Sequence, residues 1–339
     1  MEELKATIPT EQAAAIDPST CRVVLLSGGT SEERPISLAS GDGAEGALRE
    51  AGFPVVRLDP ASEEDMAALA AGAAAGAFDV AFLTLHGKGG EDGVIQAHLE
   101  SLGLPYTGSG VEASRLAIDK HAAKMAYVKK DLNTSPWVHF TSEQIARAQE
   151  MDAVEKLLDG VAHFVGEKTV VKAVEQGSSE GLYICSTRDE LREAMLKALE
   201  FDGSIIIEKF IAGDEFTVAV LGNEEPEALP VIQIVPRNGF YDYESKYAPG
   251  GSEHLCPAPV SEELTAALQA NAVAAHQALG CRGMSRTDFI VDADGELWIL
   301  ETNTIPGMTK TSLLPDAARV AGMPFPELCV KIIGFALKS

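Results

Sequence analysis

The sequence predicts an α/β protein with α+β parts, built as a parallel-sheet domain followed by two domains of mixed strand and helix. Three observations predict it. Short apolar runs alternate with helix-patterned stretches through the first third. Strand pairs replace that alternation in the middle, and a hairpin rich in acidic side chains stands near the end.

Residues 1–20 lack apolar periodicity and are expected to form a flexible extension. From there RVVLLSGG, the helix-like ISLASGDGAEGALREAG, PVVRLD, an Ala-rich helix and DVAFLTLHG read as strand-helix-strand-helix-strand, a domain over 21–118. Asp119 opens a second unit, 119–212, with the helix KHAAKMAYVKK, the strand PWVHF and the strand pair KTVVKAV and GLYICS. The third, 213–339, takes EFTVAVLG, LPVIQIVP, the acidic hairpin and a helical tail ending in ALKS. Within it, residues 237–259 are too long and too rich in Tyr, Gly and Pro for a plain connection, and loops of that kind tend to be lids.

With 339 residues, 46% of them hydrophobic, the chain can bury sizeable cores. A net charge of −24 excludes the basic face that a nucleic acid or an anionic membrane requires. Any anionic ligand must meet locally gathered Lys and Arg. The five cysteines are scattered without a C-x-x-C pair, which suggests neither a disulfide framework nor a zinc site and fits a reducing cytoplasm. The amino terminus has no basic-then-apolar leader pattern, and no stretch is long and uncharged enough to cross a bilayer.

The strongest chemical signal is Arg286 to Gly307, RTDFIVDADGELWILETNTIPG. Two apolar runs flank a turn centred on Asp294-Gly295, so Asp288 is expected opposite Glu301 and Arg286 opposite Asn303, all four on one face. Two carboxylates and an amide beside a guanidinium suit a hard cation such as magnesium, with a nucleoside triphosphate as its companion. Acidic residues on a solvent-facing hairpin can also alternate by accident, and Glu301 and Asn303 directly after WIL weigh against that. Three further segments could carry chemistry, each with a purely structural explanation when taken alone. They are the Gly-Gly turn Ser27 to Arg34, the strand end Leu85 to Gly93 with His86, and Lys172 entering Glu175 to Gly181. Gly108-Ser109-Gly110 formally fits a dinucleotide fingerprint without its strand-helix context, and no G-x-x-x-x-G-K-[ST] loop occurs.

Seven segments in order, GGTSEER, LHGKGGEDGVIQAHLESLGLPYTGSG, AIDKHAAK, VVKAVEQGSSEG, EKFIAGDEFTVAVL, FYDYESKY and RTDFIVDADGELWILETNTIPGMTKTSLLP, together resemble the ATP-grasp carboxylate–amine ligases, and within them the D-alanine–D-alanine ligase family. The resemblance covers Val23 to Leu314 and implies an ATP-grasp fold, with an N-terminal substrate domain and two ATP-grasp domains. It implies ATP at Lys120, Lys172 and Lys246, with Glu208, Lys209 and Ile211 on the adenine and Glu215 on the ribose. It assigns Asp288, Glu301 and Asn303 to two magnesium ions, manganese being the alternative, and Arg286 with Gly307 to the developing anion. Glu33, linked through Ser178 to Tyr247, would take the first D-alanine's ammonium, His86 would sit nearby, and Ser312 would meet the second substrate's carboxylate.

The activity so implied is ATP-dependent ligation of two D-alanines through an acyl phosphate, for peptidoglycan precursors, by a cytoplasmic enzyme that, like its relatives, is expected to be a homodimer. A related ligase with another second substrate and a non-catalytic nucleotide-binding regulator stay open as alternatives; Tyr247 favours D-alanine as the second substrate. Pro35 and Ala173 to Gln176 depart from the family's usual pattern and bear on phosphate-loop mobility and ATP affinity, and Lys310-Thr311 is a variable spot that bears on the second-substrate pocket.

Overall fold

The structure, a computed structural model, describes residues 13–177, 181–236 and 252–338. Its first sheet is parallel, in the order β2-β1-β3, from β1 (Val23–Leu26), β2 (Val55–Leu58) and β3 (Val80–Leu83). VVLL and VAFL are buried at every position, as strands covered on both faces must be. Between them run α1 (Arg34–Glu50) and α2 (Glu63–Ala74), and α3 (Val94–Ser101) follows β3. Pro35 falls in the first turn of α1, where a missing N–H costs nothing, so this departure from the family pattern suits its position. Gly28 has φ +97°, and a Cβ there would stand 2.5 Å from the Asp59 carboxylate. That close approach lets Asp59 accept from Gly29 N and from Arg34, fixing the turn into α1.

Helices α4 (Val111–Ile118) and α5 (Lys120–Lys129) lead to a four-stranded antiparallel sheet. Its order is β4-β7-β5-β6, from β4 (Trp137–Thr141), β5 (Thr169–Ala173), β6 (Leu182–Cys185) and β7 (Ser204–Lys209). Helices α6 (Ser142–Glu150), α7 (Val154–Val165) and α8 (Arg188–Asp202) build a core of their own with this sheet. Thr141 with Gln144 and Thr187 with Glu190 form reciprocal capping boxes that start α6 and α8.

The third sheet runs β11-β10-β8-β12-β13, with β9 on β8. Its strands are β8 (Gly213–Gly222), β9 (Glu227–Ala228), β10 (Ile232–Pro236), β11 (Ser252–Leu255), β12 (Gly283–Asp292) and β13 (Leu297–Asn303). The loop expected over 237–259 is therefore corrected at its far end: Ser252 to Leu255 pair with Gln233 to Pro236 as an edge strand. Residues 237–251 lie outside the described residues.

Helices α9 (Glu262–Ala278), α10 (Leu313–Val320) and α11 (Phe325–Lys338) complete the chain. Here tertiary structure departs from sequence order. Leu328, Ile332, Ile333 and Phe335 of α11 share one core with Val23 to Leu26, Leu48 and Phe82, so the C-terminal helix covers the N-terminal sheet. Of the stretch expected to be a flexible extension, residues from Ala13 on are described and held on α11: Ala14 N donates to Gly334 O at 3.2 Å. Among the described residues no single helix is long and apolar enough to cross a membrane.

Candidate active site

The acidic hairpin has the register expected at its chemical end: Arg286 pairs with Asn303 and Asp288 with Glu301. It reaches that register by a different route. Nearer the turn the pairs are Phe289 with Ile299 and Val291 with Leu297, one residue off, and a bulge at Leu300 restores the pairing beyond it. A turn that begins one residue earlier than expected is thus compensated before the functional residues.

On that face Arg286 grips Asp288 with a fork, Nε to Oδ1 at 2.9 Å and Nη2 to Oδ2 at 2.8 Å. Thr217 on β8 donates to Asp288 Oδ1 at 2.5 Å, and Asn303 Nδ2 lies 3.4 Å from Oδ2. Asp288 is buried, and Glu301 and Asn303 line the adjoining space. Among the described residues no three His, Cys, Asp or Glu side chains gather to hold a metal; this set reaches three only by counting the amide. Its donors are hard oxygens, which fit magnesium or manganese and not a soft metal.

Glu301 and Asn303 form a wall shared by two spaces. On one side is a cavity of about 340 Å³ bounded by Glu33, His86, Glu91, His254, Arg286, Gly307, Thr311 and Ser312. On the other is a recess walled by Lys120, Gln176, Gly177 and Thr302.

Glu33 is placed by the turn before α1, and its carboxylate lies against two glycines. A Cβ on Gly87 would stand 2.6 Å from its Oε2 and one on Gly177 2.5 Å. The turn before α1, the 85–93 loop and the loop after β5 thus meet at one carboxylate, and any side chain at either glycine would displace it. Ser312, at the start of α10, accepts from Thr309 N at 3.0 Å, and its Oγ lies 2.9 Å from where a Gly307 Cβ would be. Ser178, Lys246 and Tyr247 lie outside the described residues.

His86 is buried with Nε2 at 3.1 Å from Ser40 Oγ, and that hydroxyl also accepts from Met308 N at 3.2 Å. Burial first, and the Arg286 charge second, push its imidazole from 6.5 down to about 4. The folded protein therefore refuses a proton that the unfolded chain takes up between those values. Stability is lost as pH falls through that window, by on the order of 3 kcal/mol in all. Glu91 acts oppositely: burial and the neighbouring Glu33 raise its carboxyl, so its share is lost as pH rises. Comparing unfolding free energies of the wild type and His86→Gln across about pH 4 to 7 separates the two. The variant is expected to lose less stability on acidification, and parallel curves would refute a buried neutral imidazole.

On the side of the recess Lys120 Nζ donates to Gln176 O at 2.5 Å, tying α5 to the loop that follows β5. Lys172 is not the solvated lysine of an ordinary hairpin. It is buried on β5, with Nζ 2.6 Å from Glu208 Oε2. Burial favours its neutral form, but Glu208, Glu301 and Glu215 outweigh it and raise its pKa. Glu208, on β7, is held at about 2: burial alone would raise it, and Lys124 and Lys172 overcome that. Glu215 on β8 is half-buried, Ile211 is half-buried and Lys209 is exposed just after the Glu208 pair. Neither Lys209 nor Ile211 borders the two spaces above.

Sequence reasoning gave no role to Glu91, Lys124 or His254. Glu91 stood in a quoted motif and accepts from Gly87 N at 2.9 Å and Ile305 N at 3.2 Å, bridging the first and third sheets' loops. His254 was hidden in what reads as lid, and Lys124 as one lysine among several on a helix.

Comparison with known proteins shows the family and the fold. The family model described as "D-ala D-ala ligase C-terminus" matches residues 127–334, and "D-ala D-ala ligase N-terminus" matches 57–109. The D-alanine–D-alanine ligase of Desulfotalea psychrophila is 45% identical over 321 residues, 94% of this chain and 95% of the relative. That of Syntrophobacter fumaroxidans is 46% identical over 319 residues, 94% and 98% of the two chains. The crystal structure of D-alanine–D-alanine ligase from Bacillus anthracis superposes with a TM-score of 0.77 at 30% identity, covering 94% of this chain and 98% of that one. The same ligase complexed with ATP gives 0.76 at 29% identity, with the same coverage. With matched models over both ends and relatives aligned along almost its whole length, this chain belongs to the D-alanine–D-alanine ligase family.

Proposed function

We propose that this chain joins two D-alanines into D-alanyl-D-alanine at the expense of ATP, supplying peptidoglycan precursors, with the residues above in specific roles. Glu33 receives the ammonium of the first D-alanine and His86, neutral, stands beside it; Ser178 and Tyr247 extend from Glu33 toward the lid. Lys120, Lys172 and Lys246 meet the nucleotide phosphates as flexible point charges. Glu208, Lys209 and Ile211 receive the adenine and Glu215 the ribose. Asp288, Glu301 and Asn303 would hold two magnesium ions, which supply charge neutralisation at the phosphates.

The first D-alanine's carboxylate attacks the γ-phosphorus, the bond to ADP breaks, and an acyl phosphate results. The amine of the second D-alanine, whose carboxylate meets Ser312, then attacks the acyl carbon. It forms the amide, loses a proton and expels phosphate. Arg286 and the Gly307 backbone stabilise the anion that develops, and positioning supplies the rest.

The observation that carries this reading is the shared wall. Glu301 and Asn303 stand between the Lys120 recess and the cavity of Glu33, Arg286 and Ser312, where a phosphoryl group must pass from nucleotide to carboxylate. The test is phosphate release from ATP and magnesium with D-alanine, L-alanine, D-serine and D-lactate, singly and in pairs, with products identified by mass. Release with D-alanine alone, giving D-alanyl-D-alanine, is the expected result. A mixed product would move the reading to another second substrate, and silence despite ATP binding would overturn catalysis.

A further inference from the structure

We infer that Ser40 is a positioning residue for the proposed reaction: by holding the Met308 peptide it fixes the neighbouring Gly307 backbone where the anion develops. The inference rests on the proposed placement of Gly307 at that anion.

The observations start from a hydroxyl with no access to water. Ser40 lies on α1 and is fully buried. Among the described residues its Oγ has two partners: it accepts from Met308 N at 3.2 Å and lies 3.1 Å from His86 Nε2. A buried hydroxyl proton needs an acceptor, and the imidazole nitrogen is the one within reach, so the network assigns the O–H as donor to Nε2. The neutral ring then carries its own proton on Nδ1. It also hydrogen-bonds the Ile305 backbone in the sense that favours a protonated ring, an imidazole N–H donating to the carbonyl. Bonds thus run from Met308 through Ser40 and His86 to Ile305, and Gly307 lies between the two ends. Glu91 adds a further hold, accepting from Ile305 N at 3.2 Å.

A contact of a different kind points the same way. Gly43, about one turn further along α1, lies so close to the Met308 carbonyl that a Cβ on it would stand 2.5 Å from the oxygen. The helix therefore takes the Met308 N–H at Ser40 and admits its C=O at Gly43. Beyond Met308, Thr309 N donates to Ser312 Oγ at 3.0 Å, so the chain is held on that side too. The same helix follows directly on Glu33, which the proposed reaction gives to the first D-alanine's ammonium. One rigid element thereby sets both the ammonium site and the backbone that meets the anion. Such a donor acts only at hydrogen-bond distance from the oxygen where charge appears, and a displacement of about 1 Å is enough to cost about 10²-fold.

The test is single-turnover phosphate release from magnesium-ATP at saturating D-alanine, with steady-state KM values and thermal unfolding alongside, for the full chain and three α1 variants. Ser40→Ala is expected to slow the single turnover by about tenfold or more while KM for D-alanine and for ATP each change by less than about twofold. Gly43→Ala leaves the hydroxyl in place and pushes the Met308 carbonyl, so a loss of the same kind is expected. Gly46→Ala is the control on the same helix: its Cβ would meet nothing within 4 Å, and an unchanged rate is expected. An unchanged rate in Ser40→Ala, a loss confined to KM, or an equal loss in all three variants would overturn the inference. If Ser40→Ala does not fold, Ser40→Cys, similar in size and a weak donor, replaces it with the same expectations. Should the unsubstituted protein form no D-alanyl-D-alanine, the proposed activity falls instead, which is a different failure from an active enzyme indifferent to Ser40→Ala.

Discussion

Replacing Asp288 by asparagine is expected to lower magnesium-dependent turnover by on the order of 10³-fold or more while the protein stays folded. Asparagine keeps the size of the side chain and an oxygen for the Thr217 hydroxyl, so the β8-β12 pairing of Asp288 with Thr217 should survive. What disappears is the charge that Arg286 grips from one side and that a cation would need from the other. Glu301→Gln should act in the same direction, because Glu301 faces the recess of Lys120 and contributes to the field at both Lys120 and Lys172. Phosphate release across a magnesium titration, with thermal unfolding of each variant alongside, checks both. Near-normal turnover in either variant would remove the metal assignment, whereas a fall in melting temperature matching the fall in activity would make the effect structural.

Arg286→Met is expected to cost about 10²- to 10³-fold in kcat with a smaller change in KM for D-alanine. The reason is geometric. A guanidinium held by two hydrogen bonds to a buried carboxylate is oriented before substrate arrives, and its side chain is only 16% exposed, so water weakens its field little. Lysine carries the same charge but cannot reproduce the fork, so Arg286→Lys should recover less than the full activity. Steady-state kinetics for the three proteins, read as kcat and KM separately, decide the matter. A KM effect with unchanged kcat would make Arg286 a ground-state binding residue and not a stabiliser of the developing anion.

The hairpin shows how far a sequence can lead and where it stops. Its turn signal and period-2 alternation placed Arg286, Asp288, Glu301 and Asn303 on one face, and the structure has them there. The bulge at Leu300 that makes this register work leaves no mark in a two-letter apolar pattern, because both Ile299 and Leu300 are apolar. Lys172 is a similar case. A lysine on a strand beside a Gly/Ser loop reads as solvated, since its partner Glu208 is 36 positions away and only the β5-β7 pairing of one sheet brings the two strands together.

By itself, then, the sequence determined the local and periodic matters: three parallel strands with intervening helices, the antiparallel pairs and the facing residues of the acidic hairpin. These depend on spacing along the chain, which backbone geometry turns directly into shared faces. Tertiary structure alone decided which distant segments meet. It laid the C-terminal helix over the N-terminal sheet, set Glu33 against Gly87 and Gly177, and enclosed Lys124 and Lys172 around Glu208. Burial is non-directional and takes any apolar face that fits, so the choice of partner lies in the packing of the whole chain and not in any one segment.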